Sequence, residues 1–107
     1  MGTPIPDSLR LELRRGSLVL AVLGALRNEH YGYTLCRLLG DKGINIEEST
    51  LYPLLRRLES QGLLTSEWRD ENRRRKRFYR LSDQGEIALA GLTDEWSTLN
   101  QALNKIL

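Results

Sequence analysis

The sequence predicts a mainly α chain with a small β-hairpin: a winged helix-turn-helix followed by a C-terminal helix. Three observations carry this. Apolar residues recur at helical spacing in four separate stretches. Residues 63–81 instead read as two short strands around a turn at "DEN". That hairpin follows the third helix, which is where a winged domain carries it.

The chain has 107 residues, enough for one domain and little more. Leucine supplies 22 of them and phenylalanine one, so the core is mainly leucine. Pro4 and Pro6 keep the start extended, and Asp7 or Ser8 is placed to cap a first helix over residues 8–27. Leu9, Leu13, Gly16, Leu20 and Leu23 share one face of it. Leu18, Val19, Val22 and Leu26 widen that face until the helix is apolar on most sides. "NEHYGY" breaks it. A short second helix runs about Tyr33 to Leu39, and "GDKG" ends it. The third runs about Glu48 to Gln61 and stops at Gly62. Strands follow over Leu63–Arg69 and Lys76–Leu81, with Asn72 the residue best able to take a positive φ at the tip. Ser82 caps the last helix.

The third helix has two distinct faces. At 100° per residue, Leu51, Leu54, Leu55 and Leu58 form a core stripe. Ser49, Pro53, Arg56 and Ser60 lie opposite, Tyr52 and Glu59 flank one side, and Thr50 and Arg57 the other. Hydroxyls, a phenol and arginines suit phosphate and base-edge contacts in a major groove. The free N–H groups at the helix start suit a phosphate too, whereas Glu47 and Glu48 suit the dipole but repel one. Taken alone, such a helix is usually just a solvated amphipathic one.

The hairpin changes the balance. Net charge is only +2, but residues 69–80 hold seven Arg or Lys against two acids, while residues 82–107 hold one Lys against four acids. One end of the fold is built to meet anions. The predicted tip, Arg73, Arg74, Arg75 and Lys76, together with Arg77, is placed to enter a minor groove beside the helix. Phe78 marks the apolar face of that strand.

Other functions find little support. One His, one Cys, no glycine-rich phosphate loop and no clustered carboxylates leave no catalytic or metal-binding constellation, so no enzyme activity, cofactor or metal is expected. Cys36 has no partner for a disulfide. The apolar run Leu18–Leu26 is too short to span a bilayer and is a poor signal peptide, so a cytoplasmic protein without a membrane partner is expected.

"HYGYTL", "TLYPLLRRLESQGLL" and "RFYRLSDQG", in this order and spacing, resemble the PadR-like family of transcriptional regulators over about Leu18 to Leu89. The resemblance implies a dimeric winged helix-turn-helix repressor on a palindromic operator. It implies DNA contacts from Thr50, Tyr52 and Pro53 and from Tyr31 or Tyr33, with the wing in the minor groove. In the family a Gly usually precedes the basic residues of the wing, and here Asn72 takes that place, which puts wing geometry in question.

The last helix carries Leu89, Leu92, Trp96, Leu99, Leu103 and Ile106 at coiled-coil spacing. A winged domain complete by Leu81 has little core left to cover that stripe. We therefore divide the chain into a DNA-binding domain over 1–81 and a dimerisation helix over 82–107. The simplest partner is a second copy, with Leu9, Leu13 and Leu20 of the first helix assisting. The resemblance points the same way, to a short member whose last helix makes the dimer. Trp96 is either interface core or, with its dimer mate, one wall of an effector pocket, as the resemblance allows. The effector expected there is small and either flat and apolar, between the two Trp96 rings, or cationic or polar-edged, which Asp94, Glu95 and Asn100 would suit. The competing function is a winged protein-interaction module with only non-specific DNA affinity.

Overall fold

The computed structural model describes residues 4–107. The first three residues of the predicted 1–81 domain lie outside the described residues. The order is α1 (Asp7–Ala25), α2 (Gly32–Asp41), α3 (Glu48–Ser60), β1 (Leu64–Glu71), β2 (Arg74–Leu81) and α4 (Asp83–Ile106). This is the predicted mainly α winged arrangement.

Helix boundaries follow local chemistry. α1 starts directly after Pro6, and its first bond runs from the Arg10 amide to the Pro6 carbonyl. Neither Asp7 nor Ser8 is its cap. Proline's fixed φ already suits a helix start, and Asp7 sits in the first turn, where a negative charge meets the dipole. α3 ends as expected: Gly62 takes φ +80°, its amide donates to the Glu59 carbonyl at 2.9 Å and the Leu63 amide to the Leu58 carbonyl at 3.0 Å. Ser82 caps α4, accepting from the Gly85 amide at 2.9 Å, and its hydroxyl also donates to the Gly62 carbonyl at 2.6 Å. One serine thus joins the end of α3 to the start of α4.

The hairpin is longer and tighter than predicted. β1 and β2 pair antiparallel from Leu64↔Leu81 out to Glu71↔Arg74. "DEN" is not the turn. Asp70 and Glu71 are strand residues opposite Arg75 and Arg74, and the two-residue turn is Asn72–Arg73, with φ +53° and +64°. Two positive φ values give the turn whose twist matches a hairpin's strands. Opposite charges across the ladder favour this register. Arg74, Arg75 and Lys76 therefore belong to a strand rather than to a loose tip.

The hairpin is held by more than its own ladder. His30 and Tyr79 exchange backbone hydrogen bonds, at 3.0 and 2.8 Å, and the Leu81 amide donates to the Leu26 carbonyl at 2.8 Å. The core is mainly leucine from α1, α2 and α3, with Leu64, Tyr79 and Leu89 closing it. Leu89, assigned by spacing to the dimer seam, is 4% exposed and belongs to this core. It sits in the second turn of α4, where the helix still lies against the winged domain. From Ala90 onward every residue of α4 is exposed.

Half-buried His30 places its Nδ1 3.1 Å from the Thr34 hydroxyl, and burial holds its pKa below the ordinary 6.5. The unfolded chain thus takes up this proton more readily than the folded one. The stability tied to neutral His30 is full above pH 6.5 and is lost as pH falls below it. We expect the urea midpoint to be lower at about pH 5.5 than at about pH 7.5, and this drop to shrink in His30→Asn. An equal drop in the variant would assign the effect to other groups.

Candidate nucleic-acid interface

The first turns of α2 and α3 and the outer part of the hairpin surround a shallow concavity. Tyr31, Gly32, Tyr33, Glu48, Tyr52, Trp68, Asn72, Arg74, Arg75, Lys76 and Arg77 line it. Residues from three distant parts of the sequence meet here.

The α3 front is as predicted in placement. Ser49, Thr50, Pro53, Arg56 and Arg57 are all exposed. Pro53 sits in the second turn, so the Ser49 carbonyl receives no amide from position 53. Tyr52 differs from its neighbours. It is half-buried and lies against Gly32, where any Cβ would run into its hydroxyl and ring. Burial, with Glu48 nearby, raises the Tyr52 pKa, so the phenol keeps its proton. Glycine in "HYGY" is therefore what lets the tyrosine of "TLYP" lie down between the helices.

Tyr31 and Tyr33 have different surroundings. Tyr31 opens α2 with extended backbone and packs edge-on to Phe78 at 5.3 Å. The Lys76 ammonium sits 4.5 Å from the Tyr31 ring centre and 3.5 Å from Glu71. Tyr33 is exposed, with its ring stacked 6.3 Å from that of Tyr31.

The basic run also divides by role. Arg77 is committed inside the protein: it donates to Glu59 at 2.9 Å and to the Ser66 hydroxyl at 2.9 Å, and Ser66 donates to Glu59 at 2.5 Å. It fastens the wing root to the last turn of α3. On the other side, Arg69 makes a two-pronged bond to Glu29 at 2.5 and 2.6 Å and also pairs with Glu67. That guanidinium holds the Glu29 carboxyl below its ordinary pKa. Arg73, Arg74 and Arg75 are exposed, and no ion pair engages them among the described residues. These three, not the whole run, carry charge open to a ligand.

Sequence reasoning missed three participants. Glu59 was seen only as a flank of the α3 stripe, yet it receives Arg77. Glu29 received no role, because its partner is 40 positions away. Trp68 is 53% exposed in the middle of β1 with two guanidiniums over its ring. The available signal for Trp68 was a large aromatic in a strand destined to pair with arginines.

The predicted dimer residues form a second, separate surface. Leu9, Leu13, Leu92, Trp96, Leu99, Leu103 and Ile106 are exposed, and Leu20 is half-buried against the core. A groove between α1 and α4 is lined by Leu13, Gly16, Val19, Leu20, Leu92, Glu95, Trp96 and Leu99. Among the described residues no group of three His, Cys, Asp or Glu could hold a metal, and no helix is long and apolar enough to cross a membrane.

Comparison with known proteins places this geometry among regulators. Residues 19–91 match the model of the transcriptional regulator PadR-like family. A transcriptional regulator of Mycobacterium tuberculosis is 36% identical over 97 residues, covering 90% of this chain and 88% of its own. The crystal structure of a PadR family transcriptional regulator from Eggerthella lenta is 48% identical, with a TM-score of 0.88 over 94% of this chain and 89% of that one. PadR of Bacillus subtilis, solved in complex with operator DNA, is 28% identical, with a TM-score of 0.65 over 70% of this chain and 45% of its own.

The Gly32–Tyr52 contact gives a direct test. Gly32→Ala should destabilise the fold by about 1–3 kcal/mol through overpacking. Combining it with Tyr52→Ala should cost less than the two single changes summed, by at least about 0.5 kcal/mol. Denaturant titration of the four proteins measures this, and strict additivity would dissolve the coupling.

Proposed function

The chain belongs to the PadR-like family of transcriptional regulators, and from this we propose a homodimeric repressor that binds a palindromic operator and is released by a small effector. The observation that carries the DNA reading is the concavity itself. It brings Tyr52 of α3, Tyr31 and Tyr33 of the α2 start, and the unpaired Arg74 and Arg75 of the wing around one concave surface. The operator complex of the Bacillus subtilis protein supports the same use of the fold. α3 would read a major groove and the wing would follow the adjoining backbone. Membership assigns the chain to transcription regulation, not to catalysis.

The dimer rests on α4. Its seam of Leu92, Trp96, Leu99, Leu103 and Ile106 is left uncovered among the described residues, and Leu9 and Leu13 extend the apolar surface along α1. A two-fold partner would bury both and set two wings on one face of a duplex. Trp96, 49% exposed beside the α1–α4 groove, would flank the effector with its dimer mate. Glu95, on the same groove, favours a flat ligand that carries positive charge.

Fluorescence anisotropy with the DNA upstream of the gene and with a scrambled duplex, each at two salt concentrations, tests the proposal. Two chains per site should bind the first preferentially. If they neutralise about eight phosphates, log affinity falls against log salt with a slope near −7. Replacing Arg73, Arg74 and Arg75 together should flatten that slope. Weak, equal binding to both duplexes would favour a protein-interaction module.

A further inference from the structure

We infer that Trp68 is a positioning residue for the wing: its indole holds Arg75 in a fixed, unneutralised pose from which the guanidinium meets the DNA backbone. The inference rests on the DNA-binding reading above and concerns a residue which that reading leaves without a role.

The argument starts from register. Trp68 lies directly opposite Arg77, and Asp70 directly opposite Arg75. Strand alternation puts all four on one face of the hairpin. Asp70 is therefore the natural ion-pair partner of Arg75, yet no ion pair joins them. The Arg75 guanidinium instead leans back over the Trp68 ring, 5.0 Å from its centre. An aromatic face attracts a cation without cancelling its charge. Arg75 is thus held while its charge stays open to a phosphate.

The same ring also faces the anchored end of the wing. Arg77 lies 5.4 Å from the Trp68 centre and is fixed to Glu59 of α3. A continuous path runs from α3 through Glu59, Arg77 and Trp68 to Arg75. It fixes the distance between the recognition helix and the wing's outer charge. An indole 53% exposed in a strand is otherwise an unrewarded hydrophobic surface.

The test compares full-length wild type with Trp68→Ala, Trp68→Phe, Arg75→Ala and the Trp68→Ala/Arg75→Ala double variant. Each is first confirmed as folded by circular dichroism and thermal melting. Affinity for the upstream duplex is then measured across a salt series. If a dimer loses one phosphate contact per subunit, the slope should fall by about 2 in both Trp68→Ala and Arg75→Ala. The double variant should resemble the single ones, and Trp68→Phe should recover most of the slope because it keeps a ring under the cation. Wild-type slope in Trp68→Ala overturns the inference, as does a double variant that sums the single losses. Wild-type protein that prefers neither duplex overturns the operator reading itself, a failure visible before any variant is compared.

Discussion

The fold depends on how its hairpin is tied down. Two strands alone are marginal in water. Here β2 has a second neighbour, because His30 and Tyr79 exchange backbone hydrogen bonds at the turn between α1 and α2. Tyr79, 2% exposed, fills the core beside that bridge, and the Leu81 amide reaches back to the end of α1. Backbone bonds fix where β2 runs, and the buried ring fixes which face it turns inward. Everything beyond the root is then cantilevered from a rigid base.

The ion pairs act on that base rather than replace it. Arg69 reaches Glu29 on one side of the hairpin and Arg77 reaches Glu59 on the other. Partly exposed pairs like these add little net stability, because desolvation and side-chain ordering offset much of the attraction. Their contribution is orientation. Two pairs on opposite sides limit rocking of the wing in both directions. With Lys76 on Glu71, three of the hairpin's basic residues are thus paired, and the open charge at its outer end is that of Arg73, Arg74 and Arg75.

Much of this was legible in the sequence, and its limits are physical. Leucine spacing placed all four helices, since a core stripe on a helix is a local pattern. Ser82 and Gly62 marked helix ends because caps act within a few residues. The turn was misplaced because "DEN" and "NR" both suit a bend, and only pairing of Asp70 and Glu71 with arginines across the ladder decides between them. Leu89 fitted the heptad but belongs to the core, because periodicity gives a face and not the point where a helix leaves its own domain. The division of arginines into committed and open ones was invisible, since it depends on Glu29 and Glu59, each brought in by tertiary folding.

The two surfaces are joined by stiff elements, and this has a mechanical consequence. α1 is 19 residues long, about 28 Å. Its C-terminal half is buried with α2 in the winged domain, while Leu13 and Gly16 line the groove with α4. α4 in turn is locked at its start, where Ser82 bonds the end of α3 and a Cβ on Gly85 would strike the Leu63 carbonyl. No flexible linker separates the groove from the wing root. A molecule that changed the angle between α1 and α4 would have to displace one of these packed ends, and both lie against the base from which the wing extends. Interfaces packed this closely shift between discrete arrangements rather than bend. In the two-fold dimer proposed above, the spacing of the two wings would therefore be set at the α1–α4 groove, far from the residues proposed to face DNA.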